Sequence, residues 1–299
     1  MKAIVIGAKG FLGSYIYNYF VKKAGYDTWA CDVMVDYVSP RYVQIDATNS
    51  DFATLFTGTI FDICINCSGA ASVPDSLIHP QRDFLLNTFN VFRLLDAIRL
   101  YNPVCKFINI SSAAVYGNPT NLPIKESAIL CPVSPYGHHK VMTETICKEF
   151  LDFFGIGTCS LRIFSAYGEG LKKQILWDVL HKMKNGPQIQ LFGNGYETRD
   201  FINIRDIASI IDLVIDKAKF QGESINVANG EETQIKDLVE LAGKLMNWEG
   251  QIDFTVKIRQ GDPSNWRADI SLIESFGYKS SISLEEGLSK YARWVSESI

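Results

Sequence analysis

Along the first half of the chain, apolar positions fall into short runs rich in β-branched residues, separated by longer stretches with helical period. The runs at 3–6, 28–31, 42–45, 60–66, 106–111 and 158–163 predict strands, and the amphipathic stretches 11–23, 83–101 and 141–154 predict helices between several of them. The strand runs are mainly apolar and rich in β-branched residues. Strands buried on both sides and spaced by helices predict an α/β fold with a doubly wound parallel sheet. After about Gly168 the rhythm loosens into a helix near 174–184, a short strand at 188–192, a G-N-G turn, the segment R-D-F-I-N-I and a helix from about Asp206. Further helices are expected near 236–246 and 284–294, with an R-Q-G-D loop between them. This divides the chain into a first domain, 1–168, and a smaller α/β substrate domain, 169–299. A segment near 200–218 is expected to return to the first domain, and a cleft is expected where the two meet.

The first predicted strand runs into G-A-K-G-F-L-G, with a helix behind it. Glycine permits a tight turn and lets a pyrophosphate approach backbone N–H groups, while a helix N-terminus favours its negative charge. In the turn after the first strand of a β-α-β unit, this spacing predicts a dinucleotide site in a Rossmann-like sheet, with Gly7, Gly10, Phe11, Leu12 and Gly13 lining it. The second strand ends at Asp32, where a carboxylate accepts from an adenosine ribose and repels a 2′-phosphate. With no arginine beside it, the expected cofactor is NAD rather than NADP. Asp46 and Ala47, after the third strand, are candidates for the adenine edge, although Asp46 also reads as a plain turn residue.

Composition narrows the partners. The 299 residues carry a net charge of −4 with 47% hydrophobic residues, and the pI is about 5.6. That leaves no basic footprint for nucleic acid or an anionic membrane, so an anionic ligand must be held by local groups. No apolar run reaches the length of a membrane span, and a cytoplasmic protein is expected. Seven cysteines, an odd number, do not form a secreted disulfide framework. Cys64 and Cys67 spell C-x-x-C inside a predicted strand, with no second pair to complete a metal site, so no metal is expected.

The stretch S-P-Y-G-H-H-K places Tyr136 and Lys140 four residues apart. On a helix the two share a face, and a lysine near a phenol favours the phenolate, so the pair is either a base being prepared or an accident of composition. Ser112 lies in S-S-A-A-V-Y-G, at the end of the strand 106–111 where a ligand of a parallel sheet binds. His138 and His139, between the tyrosine and the lysine, read as structural or surface residues, with a tuning role as the alternative.

Taken in order, G-A-K-G-F-L-G, S-S-A-A-V-Y-G, S-P-Y-G-H-H-K, L-R-I-F-S-A-Y-G, R-D-F-I-N-I-R-D-I and R-Q-G-D resemble the extended short-chain dehydrogenase/reductases, the nucleotide-sugar epimerases, dehydratases and reductases. The resemblance runs from Lys2 to about Trp294. It implies Tyr136 as general base and acid, Lys140 lowering its pKa and holding the nicotinamide ribose, and Ser112 orienting the reacting hydroxyl. It also implies Asn87 near the cofactor and Ser72 in reach of substrate. For a nucleotide-diphosphate sugar it implies Arg199 and Arg259 on the diphosphate, Asp262 on the ribose and Phe192 against the base. Ser165 stands where the family commonly has asparagine, and Glu169 adds a charge near that position. Sugar dehydratases of this kind carry an Asp-Glu pair where this chain has Ala113 and Ala114, which argues against dehydration. The resemblance further implies a homodimer through the helices 83–101 and 141–154, whose apolar residues, including Phe84, Phe92, Phe150 and Phe153, face more than one way. The leading expectation is an NAD-dependent epimerase acting at C4. A 4-keto-sugar reductase or dehydrogenase on the same residues is the alternative, and a non-catalytic NAD-binding protein a more distant one.

Overall fold

The computed structural model describes residues 1–46, 51–257, 259 and 261–298. Six strands of its main sheet follow the apolar runs: β1 (Lys2–Ile6), β2 (Asp27–Asp32), β3 (Tyr42–Gln44), β4 (Ile63–Asn66), β5 (Lys106–Ser112) and β6 (Thr158–Ile163). A seventh strand, Gln221–Val227, pairs at the β6 edge, giving the order Gln221–Val227, β6, β5, β4, β1, β2, β3. The pairings from β3 across to β6 are parallel. The order reverses at β1, so the carboxyl ends of β1 and β4 form the switch point where such sheets bind ligands. Ile6 lies opposite both Cys31 and Asn66, which sets the glycine loop between the ends of β2 and β4.

One face of the sheet packs through Ile4, Ile6, Cys64 and Phe107 against Leu94, Ile98, Cys147 and Phe150, on the helices Asn90–Tyr101 and Pro135–Phe154. Each fully buried Leu, Ile or Phe side chain contributes about 1.5–3 kcal/mol, so this layer holds the helix Pro135–Phe154 firmly to the strands. Phe150 is buried there, whereas Phe84, Phe92 and Phe153 are exposed.

The chain falls into two compact units, each of three segments: 1–117, 130–163 and 214–225 in the first, and 118–129, 164–213 and 226–299 in the second. These limits differ from a single division near Gly168 with a return at 200–218. Two long-range pairings account for the difference. Strand Gln221–Val227 joins the sheet beside β6, drawing 214–225 into the first unit. The 118–129 excursion belongs to the second unit because Ile124 bridges to Ala268, and its N–H donates to the Arg267 carbonyl at 2.7 Å. The second unit also contains three two-stranded pairings. These are Ser165–Tyr167 with Phe201–Asn203, Thr198–Arg199 with Thr233–Gln234, and Gln188–Leu191 with Gln251–Phe254. Its longer helices are Gln174–Asn185, Ile235–Leu245 and Leu284–Glu297, and the helix Ile204–Lys217 begins in it and ends in the first unit. Among the described residues, no helix is long and apolar enough to cross a membrane.

Candidate active site

The helix Phe11–Lys22 starts without a side-chain cap and with no acidic residue in its first turn, so its leading N–H groups point outward unneutralised. Gly7 adopts φ +77°, and a Cβ there would lie 2.7 Å from the Ser68 backbone nitrogen. A Cβ on Gly13 would overlap the Gly7 carbonyl. Only glycine at both positions allows this close turn. Asp32 closes the far side, with its carboxylate accepting from Lys9 N and Val33 N at 2.8 Å and Met34 N at 3.2 Å. The Lys9 ammonium itself pairs with Asp36. Asn87 is 1% exposed, and neither atom of its amide has a hydrogen-bond partner among the described residues. A buried amide with both ends open is costly unless a ligand completes it, and a Cβ on Gly69 would lie 2.5 Å from its Oδ1. The cradle, the uncapped helix and the open amide together fit a dinucleotide. Asp46 is exposed just beyond β3, and Ala47 lies outside the described residues.

Ser112, at the end of β5, accepts from the Ala114 N–H at 3.2 Å and lies near enough to the Tyr136 phenol to favour its ionised form. The helix carrying the tyrosine begins at Pro135, six residues earlier than the apolar periodicity alone indicates. Its start is set by Ser134, whose hydroxyl accepts from Gly137 N at 3.1 Å, with Pro135 at the first helical position. Gly137 is required for contact: a Cβ there would lie 2.6 Å from the Ala114 carbonyl oxygen. Ser76, buried on the Val73–Ile78 helix, accepts from Tyr136 N at 3.2 Å. Ser76 and Gly137 escaped the sequence reading; only the small residue directly after the tyrosine offered a signal for one of them. Ser72 caps that same short helix, accepting from Asp75 N at 3.2 Å.

Tyr136 and Lys140 are 8% and 5% exposed, and the ammonium lies 5.7 Å from the ring centroid while donating to the Ile110 carbonyl at 2.9 Å. Burial acts on them in opposite directions. It pushes the phenol up to about 12, against the lowering effect of Ser112, and pushes the lysine down to about 8, against the raising charge of Asp83. In the chain alone the lysine therefore loses its proton well before the phenol does. Burial thus opposes charge on both groups, and a lowered phenol would draw on Lys140 together with the positive ring of the cofactor.

In the second unit, Arg199 is half-buried and donates to the Thr198 carbonyl at 2.8 Å, with its guanidinium 5.8 Å from the Trp266 ring centroid. Burial lowers it to about 10, opposed chiefly by Asp262. Arg259 makes a forked pair with Asp262, both bonds 3.1 Å, and lies 5.9 Å from the centroid of the exposed Phe192 ring. These four candidates thus share one neighbourhood. Ser165 starts the strand that pairs with Phe201–Asn203, and Glu169 is paired with Arg205 at 3.1 Å, which offsets its charge.

Residues 3–228 match the model of the NAD dependent epimerase/dehydratase family. The chain belongs to that family. Its cofactor is accordingly NAD, in agreement with the cradle and Asp32. A UDP-glucose 4-epimerase of Streptococcus mutans is 28% identical over 233 residues, covering 71% of this chain and 69% of that protein. The structure of UDP-glucuronic acid 4-epimerase from Bacillus cereus, in complex with UDP-glucuronic acid and NAD, superposes with a TM-score of 0.92 at 25% identity over all of both chains. UDP-N-acetylglucosamine 4-epimerase from Methanobrevibacter ruminantium, in complex with UDP-N-acetylmuramic acid, superposes at 0.89 and 25% identity, covering 100% of this chain and 99% of that one. Within the epimerase/dehydratase family, Ala113 and Ala114 matter: both are buried in a single tight turn after Ser112 and offer no carboxylic acid there.

Proposed function

We propose that this NAD-dependent family member interconverts the C4 epimers of a nucleotide-diphosphate sugar, with Tyr136 as general base and acid. The observation that carries the reading is the buried Tyr136 ring with the Lys140 ammonium 5.7 Å from its centroid, on the helix that follows Ser112 at the carboxyl end of β5. Bound NAD⁺ supplies the hydride acceptor, the donor for the return step and a positive charge. Ser112 holds the C4 hydroxyl, and Tyr136 takes its proton as hydride leaves the carbon, giving a 4-keto sugar. Tyr136 returns the proton to the oxygen when hydride comes back on the opposite face, so neither electrons nor protons are gained over a cycle. Lys140 supports the phenolate between the two steps. Ala113 and Ala114 leave elimination without an acid at that turn, which favours epimerisation over dehydration.

Arg199 and Arg259 would take the diphosphate, Asp262 the nucleotide ribose and Phe192 the base; planar, permanently charged guanidiniums suit a diphosphate better than lysine. Uridine is the favoured base because the similar solved epimerases hold UDP-sugars. The exposed Phe84, Phe89, Phe92, Phe153 and Phe154 support a homodimer formed through their helices, and a monomer in sedimentation would refute it. All seven cysteines are free thiols, in keeping with a cytoplasmic protein.

The test is to purify the protein without added cofactor, measure NAD⁺ released per chain, and then offer UDP-glucose, UDP-glucuronic acid and UDP-N-acetylglucosamine. Near-stoichiometric NAD⁺ and conversion of one sugar to its C4 epimer, with no net cofactor consumed, are expected. An empty site with reduced cofactor consumed one-for-one against a keto sugar would replace the epimerase by a reductase.

A further inference from the structure

The helix that carries Tyr136 and Lys140 is held by a second buried pair that the chemistry above does not use. Asp83, 1% exposed, accepts from Nδ1 of His139 at 2.5 Å, and His139 is itself 9% exposed. The other carboxylate oxygen of Asp83 is buried with no hydrogen-bond partner among the described residues. His139 is gripped twice more: the Phe84 ring meets its imidazole edge-on with centroids 5.5 Å apart, and Thr88 donates to its carbonyl at 3.3 Å. These contacts come from one continuous run, the Pro80–Phe84 helix and the wider π-type turn Leu85–Phe89, which also carries the open amide of Asn87. Such turns interrupt a regular helix at a cost and concentrate at functional sites. His139 sits three residues after Tyr136 and directly before Lys140, so a bond to its ring fixes the angle of that helical turn.

We infer that Asp83 and His139 are positioning residues for the proposed base: their buried hydrogen bond locks the first turns of the catalytic helix and sets a fixed negative charge behind Tyr136 and Lys140. The inference rests on the reading of Tyr136 as the base. The charged and titratable groups acting on Lys140 are Asp83, Cys67, Glu144 and Cys147, and Asp83 is the strongest of those that raise it. Tyr136 feels Ser112 and Asp83. Asp83 therefore raises both members of the pair, holding the lysine protonated and making the phenol harder to ionise. Removing its charge moves both ionisations the same way, toward lower pH.

The test uses the NAD⁺-loaded protein and its Asp83→Asn variant, each paired with a Tyr136→Phe partner. The ultraviolet phenolate band that disappears in the partner reports Tyr136 alone, without any substrate. Its midpoint should fall by about half a unit or more in Asp83→Asn, and both limbs of the kcat profile with the sugar nucleotide that the parent epimerises should move acidward together. An unchanged midpoint with unchanged limbs would overturn the inference. Should Asp83→Asn not fold, His139→Ala and His139→Asn decide. Asparagine keeps a donor near the Nδ1 position, so kcat should drop at least tenfold in His139→Ala, with KM little changed, and recover in His139→Asn. Equal kcat in both and the parent would overturn it. Turnover retained in Tyr136→Phe would instead refute the base assignment itself, which separates the two failures.

Discussion

Replacing Lys140 by methionine tests the electrostatic account of the base. Methionine keeps most of the buried volume and removes the charge. The ammonium lies 5.7 Å from the Tyr136 ring centroid, inside a buried site. At an effective dielectric of about 20, a unit charge about 6 Å away is worth on the order of 3 kcal/mol to a phenolate. That equals about two pKa units. Below about pH 8, where the lysine is charged, the variant should lose roughly a hundredfold in kcat, and the acid limb of its profile should move up by about two units. Above that pH the difference should shrink, because the parent lysine is losing its own proton there. The assay is kcat with whichever nucleotide sugar the parent turns over, from pH 6 to 10, with bound NAD⁺ measured in parallel to normalise for any cofactor lost in the variant. A loss at pH 7 of less than about threefold with an unmoved acid limb would refute this account, because the expected charge effect would then be missing.

Gly13→Ala should damage cofactor binding more than turnover of the loaded fraction. The new Cβ meets backbone, with Gly7 C at 2.7 Å, and overpacking of this kind costs about 1–3 kcal/mol. A lowered Tm together with substoichiometric NAD⁺ is expected, and wild-type values of both would count against the cradle. Asp200 gives a pH dependence of stability. It is fully buried and accepts from Asn229 N at 2.9 Å and from Gly230 N and Ala268 N at 3.0 Å, yet burial outweighs these donors and pushes it up to about 7. Between its unfolded value near 4 and about 7 the folded chain keeps a proton that the unfolded chain has released. Its contribution is therefore full at low pH and lost as pH rises through 7, on the order of 2–3 kcal/mol from pH 5 to 8. The unfolding free energy of the parent minus that of Asp200→Asn should fall over this range, and a flat difference would refute the shift.

The local parts of this protein were set by its sequence. The short, mainly apolar and β-branched runs between helical stretches read as strands, and they became β1 to β6 with small changes at their ends; the strand expected from residue 60 begins at Ile63, and Ile60 is exposed. The glycine loop and Asp32 could be located because backbone conformation and a twenty-residue β-α-β spacing are local properties. So could the shared helical face of Tyr136 and Lys140. The tertiary structure decided what depends on burial and on distant partners. It joined Gln221–Val227 to the sheet edge and drew the 118–129 excursion into the second unit. It made Phe150 core and left Phe153 exposed on the same helix, and it set the two histidines apart, His138 exposed and His139 buried against an aspartate 56 positions away. It also decided how burial acts on the candidate base. A lysine one turn from a tyrosine suggests a lowered phenol pKa, yet both groups are buried, and desolvation opposes charge on each, raising the phenol and lowering the lysine. Sequence spacing tells which groups can meet; the solvent they lose on meeting is a property of the packed chain alone.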